Sequence, residues 1–179
     1  MAAWPITCGL SRPKGERMND LSRELQRSVE QAAARLLNIA DVPRQTDSLE
    51  GQWSARQILG HLIDSAANNH QRFVRAQFTN DLVFAGYDQE QWVVTQHYQD
   101  EDWPALIQLW KSYNDHLAHV IAHIPTAVLQ QRRWPHTLDR IAWQTVSADK
   151  PATLEYLVRD YIGHLNDHVK QILTALEQA

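Results

Sequence analysis

The chain is almost without cysteine. Cys8 stands alone in 179 residues, which excludes an internal disulfide framework and any cysteine-rich zinc site. Long hydrophobic runs are missing too: none approaches the roughly 18 apolar residues that suggest a membrane span. Positive charge is not in excess. Seventeen Lys and Arg stand against 21 Asp and Glu, a formal net charge of −4. There is no basic field for nucleic acid and no polybasic patch for a membrane surface. The start, "MAAWPITCGLSRPKGERMND", lacks the apolar segment and cleavage site of a signal peptide. The expected location is the cytoplasm.

What is present suits one globular domain. Apolar residues make up 44% of the chain, enough for a real core at this length. Residues 1–18 hold Pro5, Gly9, Pro13 and Gly15 without period and read as a mobile tail. Met18 is an alternative natural start, because "MNDLSREL" opens a helix well. Residues 19–179 read as the domain. Two residue types stand out, nine histidines and seven tryptophans. Trp53 and Trp103 at segment starts, and Trp134 and Trp143 in connections, are expected to cap the ends of the core.

Four long helices are expected. The first covers about 19–39, where Leu21, Leu25, Val29, Ala32, Leu36 and Ile39 recur at helical spacing. The second starts at Ser54, which forms a capping-box pattern with Gln57. The third, "EDWPALIQLWKSYNDHLAHVIAHI", has Pro104 in its first turn, where proline is tolerated, and ends before Pro125. The fourth, "PATLEYLVRDYIGHLNDHVKQILTALEQ", has Thr153 as a cap. A short helix is expected around 88–94, and a short hairpin between helices three and four. Four amphipathic helices predict an all-α four-helix bundle.

Histidine is the commonest metal ligand, and imidazoles four residues apart share one helix face. Successive residues turn about 100° around a helix axis. On helix four, His168 then falls inside the stripe of Leu154, Val158, Tyr161, Leu165 and Ile172, and His164 falls at its margin. Both can face the core, as metal ligands or as ordinary polar residues at its edge. Asp160 and Asp167 lie nearby as outer or surface groups. His61 on helix two lies beside Ile58 and Leu62. Ser65, Asn68 and Asn69 continue a polar lane on its side, which lines a pocket or is a solvated flank. His116, His119 and His123 have a tempting spacing. His119 and His123 turn well away from the stripe of Leu106, Trp110, Tyr113, Leu117, Val120 and Ile124, His116 sits at its flank, and the group reads as mostly solvated. His70, His97 and His136 read as surface or loop residues.

"WSARQILGHLIDS" together with "YLVRDYIGHLNDHVKQI" resembles the DinB/YfiT-like superfamily of metal-dependent proteins. "GYDQEQWVVTQHYQDEDWPALIQLW" resembles the connection and third helix of many DinB-like proteins. The likeness covers roughly residues 19–176. It implies a four-helix bundle with up-down-down-up connectivity. It also implies a metal held by one histidine of helix two and the pair on helix four, here His61, His164 and His168. The histidines of helix three have no part in that pattern.

Three imidazoles leave positions open on a metal, which is the catalytic rather than the structural arrangement for zinc. Imidazole suits Zn, Ni, Cu and Fe, and Zn or Ni is expected. The open position would activate water for hydrolysis or a thiolate for transfer. Because members of the superfamily use bacillithiol or mycothiol, the resemblance makes thiol-dependent S-transfer to a small molecule the most concrete proposal, with a low-molecular-weight thiol as cosubstrate. The alternative is a non-catalytic metal-binding or stress-related bundle, in the form of a homodimer that sequesters a ligand. Asp64, Asn68, Tyr113 and Asn114 are candidate pocket or outer-shell residues by their helix faces. No nucleophilic triad is visible.

Overall fold

A computed structural model describes residues 20–39 and 53–177. The expected tail, Cys8 and Met18 lie outside those residues. The described chain is helical, with four long helices: α1 (Asp20–Leu37), α2 (Ala55–Arg75), α4 (Trp103–Ala122) and α7 (Leu154–Glu177). Three short ones lie in the connections: α3 (Gln89–Gln96), α5 (Thr126–Gln130) and α6 (Leu138–Ile141).

Local chemistry sets the helix starts. Gln57 N–H donates to Ser54 Oγ (3.3 Å) and Ser54 N–H donates to Gln57 Oε1 (2.9 Å), a complete capping box on α2. Asp102 accepts from Ala105 N–H to start α4, with Pro104 in the first turn. Thr153 Oγ1 accepts from Tyr156 N–H at the start of α7. The buried stripe of α4 is broader than its sequence suggests, and Ile107, Asn114, Ala118 and Ile121 are buried while Tyr113 is only half-buried. The reason is packing on two sides, since α4 contacts both α1 and α2.

Each long helix touches two others, α1 with α4 and α7, and α2 with α4 and α7. Specific contacts give the directions. Ser22, early in α1, donates to the carbonyl of Ala118, late in α4 (2.7 Å), and Trp103 Nε1–H, at the start of α4, donates to Leu36 O at the end of α1 (3.2 Å). Arg35 and Glu177 pair at the C-terminal ends of α1 and α7. Arg56 stacks over Trp103 at the starts of α2 and α4, and His70 meets His116 further along both. Phe73, late in α2, packs on Tyr161, early in α7. Helices α2 and α4 therefore run parallel to each other and antiparallel to α1 and α7.

A parallel neighbour requires a long return. Residues 76–102 make it, running back along α2 through α3 and a 3₁₀ turn at Tyr98–Asp100. Gly60 admits the Tyr98 ring against α2: a Cβ there would lie 2.0 Å from Tyr98 Cδ2. The expected hairpin between helices three and four is absent among the described residues. Arg133 and Ala152 form one isolated antiparallel bridge (2.8 and 3.1 Å), and the rest of the segment is irregular around α6. The tryptophans divide. Trp103 is buried and Trp53 half-buried at helix starts, whereas Trp134 and Trp143 are exposed. Trp134 lies over its own loop, its Nε1–H donating to Ala148 O (2.8 Å), and Trp143 lies over α7 at Gly163, where a Cβ would meet its ring at 3.1 Å.

Candidate metal centre

The second turn of α2 faces the second half of α7. His61 is brought there by the capped start of its helix, and His164 and His168 by one turn of theirs. Their ring nitrogens lie within 4.8 Å of one another. His61 Nε2 and His164 Nε2 are 3.3 Å apart. The ring centroids are 4.5 to 5.2 Å apart, all at steep angles. His61 is fully buried, while His164 and His168 are half-buried.

Burial keeps these rings neutral. His61 is pushed down to about 3 by desolvation and then by the neighbouring His164 and His168. His164 is lowered to about 4 by the same desolvation and by His168. His168 is also lowered, chiefly by desolvation, with Gln171 and Asp167 opposing. Neutral imidazoles are the form that ligates metal.

His136 shows what a satisfied structural histidine looks like in this fold. His136 is buried in the loop before α6, and both its nitrogens are bonded: Nε2–H to Lys150 O (2.6 Å), and Nδ1 from Leu138 N–H (3.2 Å). It is a loop residue, as one of the two expected readings had it, but a buried structural one rather than a surface one. His61 is the opposite, because its Nδ1 is buried without a partner and its Nε2 points at another imidazole. One pair of the donor set, His61 Nε2 and His164 Nε2, has the right spacing, and the third nitrogen lies within 4.8 Å of both. Two nitrogens bound to one ion at about 2.0–2.1 Å stand roughly 3.3 Å apart. His168 is oriented from outside, with Nδ1 bonded to Gln171 Oε1 (3.0 Å) and Gln171 Nε2–H donating to Asp167 Oδ2 (2.7 Å). That chain leaves His168 Nε2 as the free lone pair. The three residues fit a divalent metal.

A cavity of about 260 Å³ opens from His164 and His168 along the seam between α2 and α7. Its walls include Ser65, Asn69 and Arg72 of α2, Tyr87 of the return segment, Trp143 of the loop, and Asp160 and Tyr161 of α7. Asp160 accepts from the N–H groups of Trp143 (2.9 Å) and Gln144 (2.7 Å), tying the loop to the rim.

None of Asp64, Asn68, Tyr113 and Asn114 lines this cavity. Asp64 is buried on the side of α2 that faces the return segment, and its Oδ1 accepts from Tyr98 O–H and Gln96 Nε2–H, both at 2.7 Å. Desolvation raises its pKa, against those two bonds. Asn68 spends its amide on the Asp64 carbonyl (2.9 Å), and Tyr113 packs on the core. Asn114 stands one layer behind the cavity, accepting from Tyr161 O–H (2.5 Å). The polar cavity residues that sequence reasoning overlooked include Arg72, Tyr87, Gln89, Arg140 and Tyr161. Arg72 carried a usable signal: it continues the polar lane from His61 through Ser65 and Asn69 by one further turn. His116, His119 and His123 are exposed on α4, as their helical positions predict.

The sequence matches no family model and no curated protein. Its structure is similar to that of YfiT from Bacillus subtilis, a probable metal-dependent hydrolase with an unusual four-helix bundle topology. The TM-score is 0.67, with 19% identity over 96% of this chain and 94% of that one. At that identity the likeness establishes a YfiT-like four-helix-bundle fold.

Proposed function

We propose that this chain is a metal-dependent enzyme acting on a small molecule in the cavity between α2 and α7, with hydrolysis as its reaction. The observation that carries this reading is the convergence of three neutral imidazoles from two helices, two of which, His164 and His168, line that cavity. His61, His164 and His168 would hold a divalent ion, Zn or Ni by the imidazole donor set. When bound, such an ion supplies Lewis-acid activation of a nucleophile at neutral pH. The chain's own contribution is orientation and burial. Gln171 holds the His168 ring, burial holds His61 neutral, and Trp143 covers the His164 edge at 6.3 Å between ring centroids. That YfiT is described as a probable metal-dependent hydrolase supports the reading.

The test begins with elemental analysis of untagged protein purified without added metal. One equivalent of metal is expected in the wild type and none in His164→Ala. Activated esters and amides are then offered to the metal-loaded protein. A second arm adds a low-molecular-weight thiol and a chlorinated aromatic. Hydrolysis that His164→Ala abolishes supports the proposal. Turnover only in the thiol arm replaces hydrolysis with S-transfer. Stoichiometric metal without turnover in either arm favours the non-catalytic bundle, and absence of metal from the wild type removes the centre.

A further inference from the structure

Arg72 is a buried cation in the cavity wall that the metal centre does not use; a second guanidinium, Arg140, also lines the cavity but pairs with Asp139 (3.8 Å). Arg72 is only 7% exposed, yet it lines the cavity. Its guanidinium makes two long contacts, Nη1–H to Asn69 Oδ1 (3.4 Å) and Nη2–H to Ala85 O (3.3 Å). No carboxylate among the described residues pairs with it. The only carboxylate in the cavity wall, Asp160, has its oxygens occupied by the Trp143 and Gln144 amides. A buried cation without a counter-charge is costly, and arginine does not escape by losing its proton.

Two hydroxyls flank it: Ser65 is buried on the same lane of α2, and Tyr87 faces the cavity from the return segment. Asn69 holds the guanidinium instead, since its Nδ2–H donates to Ser65 O (2.9 Å) and its Oδ1 accepts from Arg72. Arg72 stands eleven residues after His61 on one helix, three turns and about 16 Å along the axis. The two share a face, so the cation and the histidines sit at opposite ends of one slot. Planar guanidinium with neighbouring hydroxyl groups is the chemistry that holds a carboxylate or phosphate.

We infer that Arg72, held by Asn69 and flanked by the hydroxyls of Ser65 and Tyr87, forms an oxyanion subsite, and that the substrate of the proposed metal enzyme carries a carboxylate or phosphate group remote from its reacting bond. The inference rests on the metal-enzyme reading for the word substrate, but the subsite itself can be tested separately.

The test is calorimetric titration of the full-length, metal-loaded chain with benzoate, phenyl phosphate and benzamide. At least one of the two anions should bind tenfold or more tightly than the neutral amide, and the tighter one names the group. Arg72→Gln should weaken that anion about tenfold and leave metal content and benzamide binding unchanged. His164→Ala should lose the metal and keep the anion. Equal affinities for all three probes overturn the subsite, as does anion binding lost in His164→Ala but kept in Arg72→Gln, which would place the anion on the metal. Should Arg72→Gln fail to fold, the preference of the wild type and of His164→Ala for anion over amide still decides. A wild type without metal but with anion preference sensitive to Arg72 removes the metal reading and leaves the subsite standing.

Discussion

His168 is oriented by the protein itself, through Gln171 and, behind it, Asp167. Loss of such an outer contact typically costs 10–100-fold in metal affinity. Gln171→Ala is therefore expected to weaken metal binding about tenfold in a competition titration with a chelating dye, with the bundle intact by circular dichroism. His168→Ala should do more. Protonation follows from the same geometry. The folded site refuses protons at His61 and His164, lowered to about 3 and about 4 from 6.5, while the unfolded chain accepts them. The unfolded state thus binds more protons across that window, and stability of the metal-free protein falls as pH drops from about 6.5 toward 3. The slope reaches about 1.4 kcal/mol per pH unit for each histidine kept neutral. Urea titrations of metal-free protein between pH 7 and 4 measure it. In His61→Ala, with its neighbours relieved of one ring, the slope should be shallower.

Among the elements, α2 carries the most. One face presents His61, Ser65, Asn69 and Arg72 to the seam with α7, and another buries Asp64 under the return segment. Gly60 joins the two duties, because the Tyr98 ring occupies the place of its missing side chain. Gly60→Ala is expected to displace Tyr98, break the bond to Asp64 and destabilise the fold by about 3 kcal/mol, read from the denaturation midpoint. Tyr98→Phe keeps the ring and loses only the donor, so about 1–2 kcal/mol is expected. Helix starts were legible because caps are local: Ser54, Asp102 and Thr153 bond within three residues. The role of Asp64 was not legible. Its partners, Gln96 and Tyr98, lie more than thirty residues away, and a helix face says only that a carboxylate points inward, not what meets it there.

At the scale of the whole molecule, a ligand set drawn from α2 and α7 ties two helices that the sequence separates by about a hundred residues. A metal bound only by the folded state stabilises it by mass action, about 2.7 kcal/mol at a hundredfold excess over Kd. For a domain of this size that is roughly 5–10 °C. Chelator should lower the melting temperature of the wild type by that amount and leave His164→Ala unmoved. Equal melting with and without chelator in the wild type would count against a bound ion. No described helix is long and apolar enough to cross a membrane.

Periodicity and caps, both local, were enough to read four amphipathic helices, an all-α fold and the outward turn of His116, His119 and His123. The same periodicity left His61, His164 and His168 open between ligands and edge residues, since a helix face does not say which neighbour it meets. Packing of α2 against α7 brought the three together, setting two imidazole nitrogens 3.3 Å apart. It also decided that His136 is a satisfied structural residue, that Asp64 anchors the return segment, and that Arg72 ends in a cavity without a counter-charge. Each of those facts depends on contacts between distant segments, and such contacts exist only once the bundle has closed.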